Sequence, residues 1–83
     1  MRKMVEFDHN GNIFGTMTNC NENVTAEDLK ARKAKFKGLK DIMVLEADND
    51  LETLMAVYQM NRNSQNSRKA IINCLKTMAV VRA

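Results

Sequence analysis

The first apolar clusters along the chain are short. Residues 3–7 (Lys-Met-Val-Glu-Phe) and 13–18 (Ile-Phe-Gly-Thr-Met-Thr) are strand-like runs, with Asp8-His9-Asn10-Gly11-Asn12 between them. Asn-Gly tolerates positive φ at both central positions of a type I′ turn, which makes it a strong hairpin signal. With Asn10-Gly11 as a two-residue loop, Phe7 faces Phe14 and Met4 faces Met17, both sensible cross-strand pairs. A loop of three to five residues shifts that register.

Residues 19–24 are mostly polar and read as loop. A helix is predicted over 25–37. Thr25 and Asp28 form an approximate capping box, Val24 is placed to staple the first turn, and Gly38 suits the C′ position. Ile42-Met43-Val44-Leu45, within 39–47, is a continuous apolar run. It predicts a strand covered on both faces or central in its sheet.

Asp48-Asn49-Asp50 predicts a turn, with Asp50 capping a second helix over 51–62. Leu51, Leu54, Met55 and Tyr58 share an apolar arc there. Residues 61–66 break the pattern. Ser67 is the predicted cap of a third helix that reaches residue 82. Ile71, Ile72, Leu75, Met78 and Ala79 share one face of it, and Lys69, Asn73, Lys76 and Thr77 the other. No Gly or Pro enforces the break, so the last two helices also read as one bent helix.

The order β-β-α-β-α-α predicts an α+β fold: one domain over residues 1–83, with a three-stranded sheet and helices mainly on one face. The middle β-α-β is expected to be a right-handed crossover if its strands run parallel in one sheet.

Composition adds limits. A chain of 83 residues buries only about 60–65% of its unfolded surface, so stability is modest and a homodimer would add to it. With seven Met, three Phe and one Tyr, the core is filled by Met, Ile, Leu and Val. The longest apolar run, residues 54–58, is far short of a membrane span. Arg2 and Lys3 would suit a signal segment, but Glu6 and Asp8 interrupt the apolar stretch that must follow. Cys20 and Cys74 lie far apart and outside any C-x-x-C, as expected of reduced thiols in a cytoplasmic protein.

Charge changes the picture most. The formal net charge of +3 conceals sorting by position. Residues 29–40 carry Lys30, Arg32, Lys33, Lys35, Lys37 and Lys40 and no acid. Residues 41–61 carry Asp41, Glu46, Asp48, Asp50 and Glu52 and no base. Residues 62–83 carry Arg62, Arg68, Lys69, Lys76 and Arg82 and no acid. On the first helix, Lys30, Lys33 and Lys37 form a stripe, with Arg32 and Lys35 on the other flank. Asp28 is a candidate i, i+4 partner for Arg32.

Unpaired like charges at this density call for a counter-charge. The candidates are the protein's own acidic block, a partner protein or phosphate. Six cations in twelve residues suit the counterion-release binding of a nucleic-acid backbone. Lysine predominates, and lysine acts as a point charge, which favours backbone affinity over base reading. Aromatics for stacking are few, so structured or double-stranded RNA read by shape is favoured over a single strand or the DNA major groove. The candidate contacts are Lys30, Arg32, Lys33, Lys35, Lys37, Lys40, Arg62, Arg68, Lys69 and Lys76. A solvated face that keeps the protein soluble is the competing reading.

No enzyme signature is present and no cofactor is implied. Glu46, Asp48, Asp50 and Glu52 alternate in a spacing that suits the Mg²⁺ ligands of a nuclease, but they also suit a turn and a helix N-terminus. His9 stands beside the hairpin turn and makes no zinc set with two distant cysteines. Pairing His9 with Cys20 as a nucleophile has no supporting motif. In size, basicity and lack of a catalytic motif, the chain is similar to small accessory proteins of phages and mobile elements. That likeness implies an alternative: a regulator or inhibitor docked on a target protein through the basic helix or the acidic block, with RNA as a bridge in one version.

Overall fold

A computed structural model of the chain describes residues 1–15 and 18–83. The order is β1 (Arg2–Asp8), β2 (Thr18–Cys20), α1 (Ala26–Lys35), β3 (Leu39–Glu46), α2 (Asn49–Met60), α3 (Gln65–Met78) and β4 (Val81–Arg82). The expected α+β class is the observed one. The strands form one sheet in the order β2-β1-β3-β4, and every neighbouring pair is antiparallel. The sheet thus has four strands where three were expected. β2 and β3 run parallel to each other but are separated by β1.

The fourth strand comes from the chain end read as helix. α3 stops at Met78, and Ala79 turns extended at φ −64°, ψ 135°. Val80 N–H donates to the Val44 carbonyl at 2.9 Å, and Val81 pairs with Val44. The free edge of β3 offers a backbone ladder that β-branched Val80 and Val81 fill better than another helical turn would.

The hairpin loop also differs from expectation. Asp8 N–H donates to the Asn12 carbonyl, and Gly11 N–H donates to the Asp8 carbonyl. Asp8 Oδ1 accepts from the N–H groups of Asn10 and Asn12, both at 2.9 Å. His9-Asn10-Gly11 is therefore a three-residue loop, with Gly11 at φ 79° supplying the left-handed residue. Phe7 pairs with Ile13, not Phe14. The one-residue slip sends Phe14 to the opposite face. Further out Met4 pairs with Thr18; the expected partner, Met17, lies outside the described residues. Cys20 and Asn19, read as loop, belong to β2.

Both faces of the sheet are covered, so the helices divide two and one. On one face Val5, Phe7, Met43 and Leu45 pack with Leu51 and Tyr58 of α2 and with Ile71, Ile72 and Leu75 of α3. On the other, Ile42 and Val44 pack with Leu29 of α1, joined by Met4, Phe14, Val24 and Phe36. β3 is buried from Ile42 to Leu45, as its continuous apolar run predicts.

The caps fix the helix starts. Thr25 and Asp28 close the expected capping box, and Val24 and Leu29 share one apolar cluster as a staple would. Asp48, not Asp50, caps α2 by accepting from Leu51 N–H at 2.9 Å. Ser64, not Ser67, caps α3 by accepting from Ser67 N–H at 3.3 Å. The helices are separate. Gly38 has no positive φ; a Cβ there would lie 3.2 Å from a Phe14 ring carbon, so close packing and not a C′ turn asks for glycine.

Candidate functional site

The ten cations singled out by sequence fall into three groups. Lys30, Lys33 and Lys35 are exposed on α1, and Lys37 is exposed in the turn that follows. Lys30 makes a solvent-exposed pair with Glu27 at 3.5 Å, which contributes little. Lys33, Lys35 and Lys37 have no ion-pair partner among the described residues. Lys35 Nζ lies 5.7 Å from the centre of the Phe36 ring.

Lys40, Lys69 and Lys76 form the second group. They come together at the end of the sheet where the hairpin tip meets α3. Lys69, Asn73 and Lys76 are spaced i, i+4, i+7 along α3 and so lie along one side of it. Lys76 Nζ pairs with Asp41 Oδ1 at 2.9 Å, and both side chains are partly shielded. Lys40 and Lys69 have no ion-pair partner among the described residues. α1 and α3 cover opposite faces of the sheet, so the outer row on α1 and the α3 lysines do not share one plane. Lys40, next to Lys37 beyond Gly38 and Leu39, is the link between them.

Arg32, Arg62 and Arg68 make up the third group. Arg32 does not pair with Asp28, which is taken by the capping box. Its Nε and Nη2 grip both carboxylate oxygens of Glu6, the second at 3.1 Å. Glu6 is only 4% exposed, and this hydrogen-bonded pairing holds the Arg32 guanidinium above its usual pKa, against the opposing effect of burial. The same guanidinium lies 5.0 Å from the Phe36 ring centre.

Arg68 is 8% exposed; it donates to the Arg62 carbonyl and, at 3.2 Å, to the Asn10 carbonyl. It ties the α2–α3 connection to the hairpin tip. Arg62 is exposed beside it. A fork of donors with fixed geometry suits the two carbonyls at Arg68 and, at half-buried Arg32, the two oxygens of a carboxylate, which explains arginine at these positions and lysine on the surface.

The acidic block is spent elsewhere. Glu46 pairs with Arg2 at 3.0 Å, Asp41 with Lys76, and Asp48 caps α2. Asp50 and Glu52 occupy the first turn of α2, where the helix dipole favours negative charge. The alternating carboxylates thus serve separate structural ends. His9 and Cys20 also bond apart: His9 Nε2 lies 3.0 Å from the Lys37 carbonyl and Cys20 Sγ 3.4 Å from that of Asn21. Both cysteines are free thiols.

Sequence reasoning missed the part played by Asp8, His9 and Asp41 beside Lys40 and Lys69. The stripe of Lys69, Asn73 and Lys76 was its visible half. The hairpin half needs a tertiary contact. Tyr58, 3% exposed, supplies it by donating its hydroxyl to the Gly11 carbonyl at 2.7 Å. Burial is the main cause that raises the Tyr58 pKa, with the nearby positive Arg68 pulling it back.

No protein-family model, curated protein or solved structure matches the chain. Among the described residues, no helix is long and apolar enough to cross a membrane.

Proposed function

We propose that this protein is a small non-catalytic nucleic-acid-binding domain. It contacts phosphates through the lysines of α1 and the turn after it, with double-stranded or structured RNA as the favoured partner. One observation carries the reading. The acidic segment does not fold over the basic helix, so Lys33, Lys35 and Lys37 stay exposed and unneutralised. Unpaired ammonium groups in water gain from counterion release on a polyanion.

Backbone contact rather than base stacking follows from the aromatics. Phe7 and Tyr58 are buried, and Phe14 and Phe36 pack on each other with ring centres 5.9 Å apart. None offers a free stacking platform for a single strand. Lysines on a helix face can follow the phosphates of an A-form duplex without reading sequence.

The test is equilibrium binding to duplex RNA and duplex DNA over a salt series, with wild type compared to Lys30→Glu/Lys33→Glu/Lys37→Glu. Wild type is expected to lose affinity steeply as salt rises, and the triple variant to lose both affinity and slope. Absence of salt-dependent affinity for either duplex in the wild type overturns the reading and leaves docking on a protein as the reading to pursue. An unchanged slope in the triple variant overturns the assigned face.

A further inference from the structure

We propose that the cleft between the hairpin tip and α3 is a binding site for a single phosphate group. It has a volume of about 120 Å³ and is lined by His9, Lys40, Asp41, Lys69, Asn73 and Lys76, with Asp8 and Gly11 from the hairpin at its side. Lysine charge outnumbers carboxylate charge there, and both carboxylates are already engaged. Asp8 Oδ1 accepts two backbone N–H groups of its own turn, and Asp41 Oδ1 holds Lys76. Lys40 and Lys69 are left as cations without an ion-pair partner among the described residues. Asn73, one helical turn from both Lys69 and Lys76, adds an amide that can donate to an anion's oxygen.

The walls are braced. Gly11 sits against α3, where a Cβ would lie 3.6 Å from Lys69 Cγ and 3.6 Å from Ile72 Cδ1. The Lys69 stem is therefore laid along the hairpin, which reduces the entropy lost when its ammonium engages a ligand. The His9 ring is held by the Lys37 carbonyl, and Tyr58 and Arg68 tie the hairpin to α2 and α3 from below.

Size narrows the ligand. The cleft is far larger than the roughly 10–15 Å³ that one water needs, and well below the roughly 300 Å³ at which pockets for drug-sized molecules begin. It suits one phosphoryl group, not a whole nucleotide. A phosphate with a free end can enter a cleft, whereas an internal phosphodiester carries sugar on both sides. The shared chemistry is thus a terminal phosphate, supplied either by the 5′ end of a strand or by free inorganic phosphate. The site is separate from the exposed row on α1 and stands without the reading of that row.

The experiment is a ¹H–¹⁵N NMR titration with inorganic phosphate at constant ionic strength, repeated with one short RNA duplex bearing either a 5′ phosphate or a 5′ hydroxyl. Saturable shifts are expected at residues 9–11, at Lys40 and at residues 69–73. Loss of charge-assisted hydrogen bonds in Lys40→Met/Lys69→Met should weaken binding by about tenfold or more. Methionine keeps the apolar stem, and each single variant reads a smaller loss in the same direction if the double variant is not folded. With inorganic phosphate, Lys33→Met is expected to titrate as wild type.

Tighter binding of the 5′-phosphorylated duplex assigns the site to strand ends. Equal binding of both duplexes, with inorganic phosphate still bound, assigns it to the free ion. Shifts that never saturate, or an unchanged titration in the folded variants, overturn the proposal. Lys30→Glu/Lys33→Glu, which touches no residue of the cleft, should leave the titration with inorganic phosphate intact, so failure of the α1 lysines and failure of this site are told apart.

Discussion

Arg32 reaches across from α1 to hold both carboxylate oxygens of Glu6 in β1, 26 residues earlier in the chain. One member of the densest cationic block is thereby taken out of the surface field and used to settle a carboxylate buried within the sheet. A buried charge without its partner is expensive, so the pair is a joint between α1 and the sheet.

Arg32→Met should therefore destabilise the protein by about 1–3 kcal/mol, with the partial exposure of Arg32 keeping the cost below that of a fully buried pair. Glu6→Leu/Arg32→Met should recover most of the loss, because it removes both charges together. Urea midpoints of the two singles and the double check this, and additive losses would show that the pair is not coupled.

Tyr58→Phe removes the hydrogen bond to the Gly11 carbonyl and should cost about 1 kcal/mol near neutral pH. The raised pKa of Tyr58 has a sign in pH. Above pH 10 the unfolded chain loses the phenolic proton while the folded chain keeps it, so proton binding favours the fold less as pH rises. Stability should fall as pH passes from about 10 through the folded pKa, and Tyr58→Phe should lack that component. Chemical denaturation from pH 8 to 11 measures both.

Asp48→Ala should destabilise by about 1 kcal/mol, as loss of a helix N-cap does. Asp50→Ala should cost distinctly less, because only the dipole interaction is lost. Thermal melts of the two variants compare them; equal costs would contradict the cap assignment.

In nucleic-acid binding, Lys33→Met should lower the salt slope by about 0.9 if it removes one contact to a duplex DNA phosphate. Arg68→Met should lower the unfolding midpoint and leave the slope of the folded protein unchanged, since its guanidinium is turned inward to the Arg62 and Asn10 carbonyls. Fluorescence anisotropy over a salt series separates the two effects. A slope that changes with Arg68 would place that side chain on the ligand.

Local chemistry made much of the fold legible. The Thr25–Asp28 capping box, the apolar arc of α2 and the buried run of β3 depend on neighbours within one or two turns or on burial common to any sheet. The hairpin was legible as a turn, but its register was not. Asn10-Gly11 suits a two-residue loop, whereas the Asp8 carboxylate recruits two backbone N–H groups and makes a three-residue loop the better-satisfied one.

By itself the sequence determined that cations and acids lie in separate segments and that α3 is amphipathic, because these are matters of order and periodicity. Only the tertiary structure decided which charges face solvent. It turned Arg32 and Arg68 inward, sent the acidic block away from α1, and brought Lys40 beside Lys69 and Lys76. The reason is that burial and hydrogen-bond satisfaction are settled between segments distant in the chain: a buried Glu6, an open β3 edge and the hairpin's free carbonyls each had to find a partner that sequence spacing does not name.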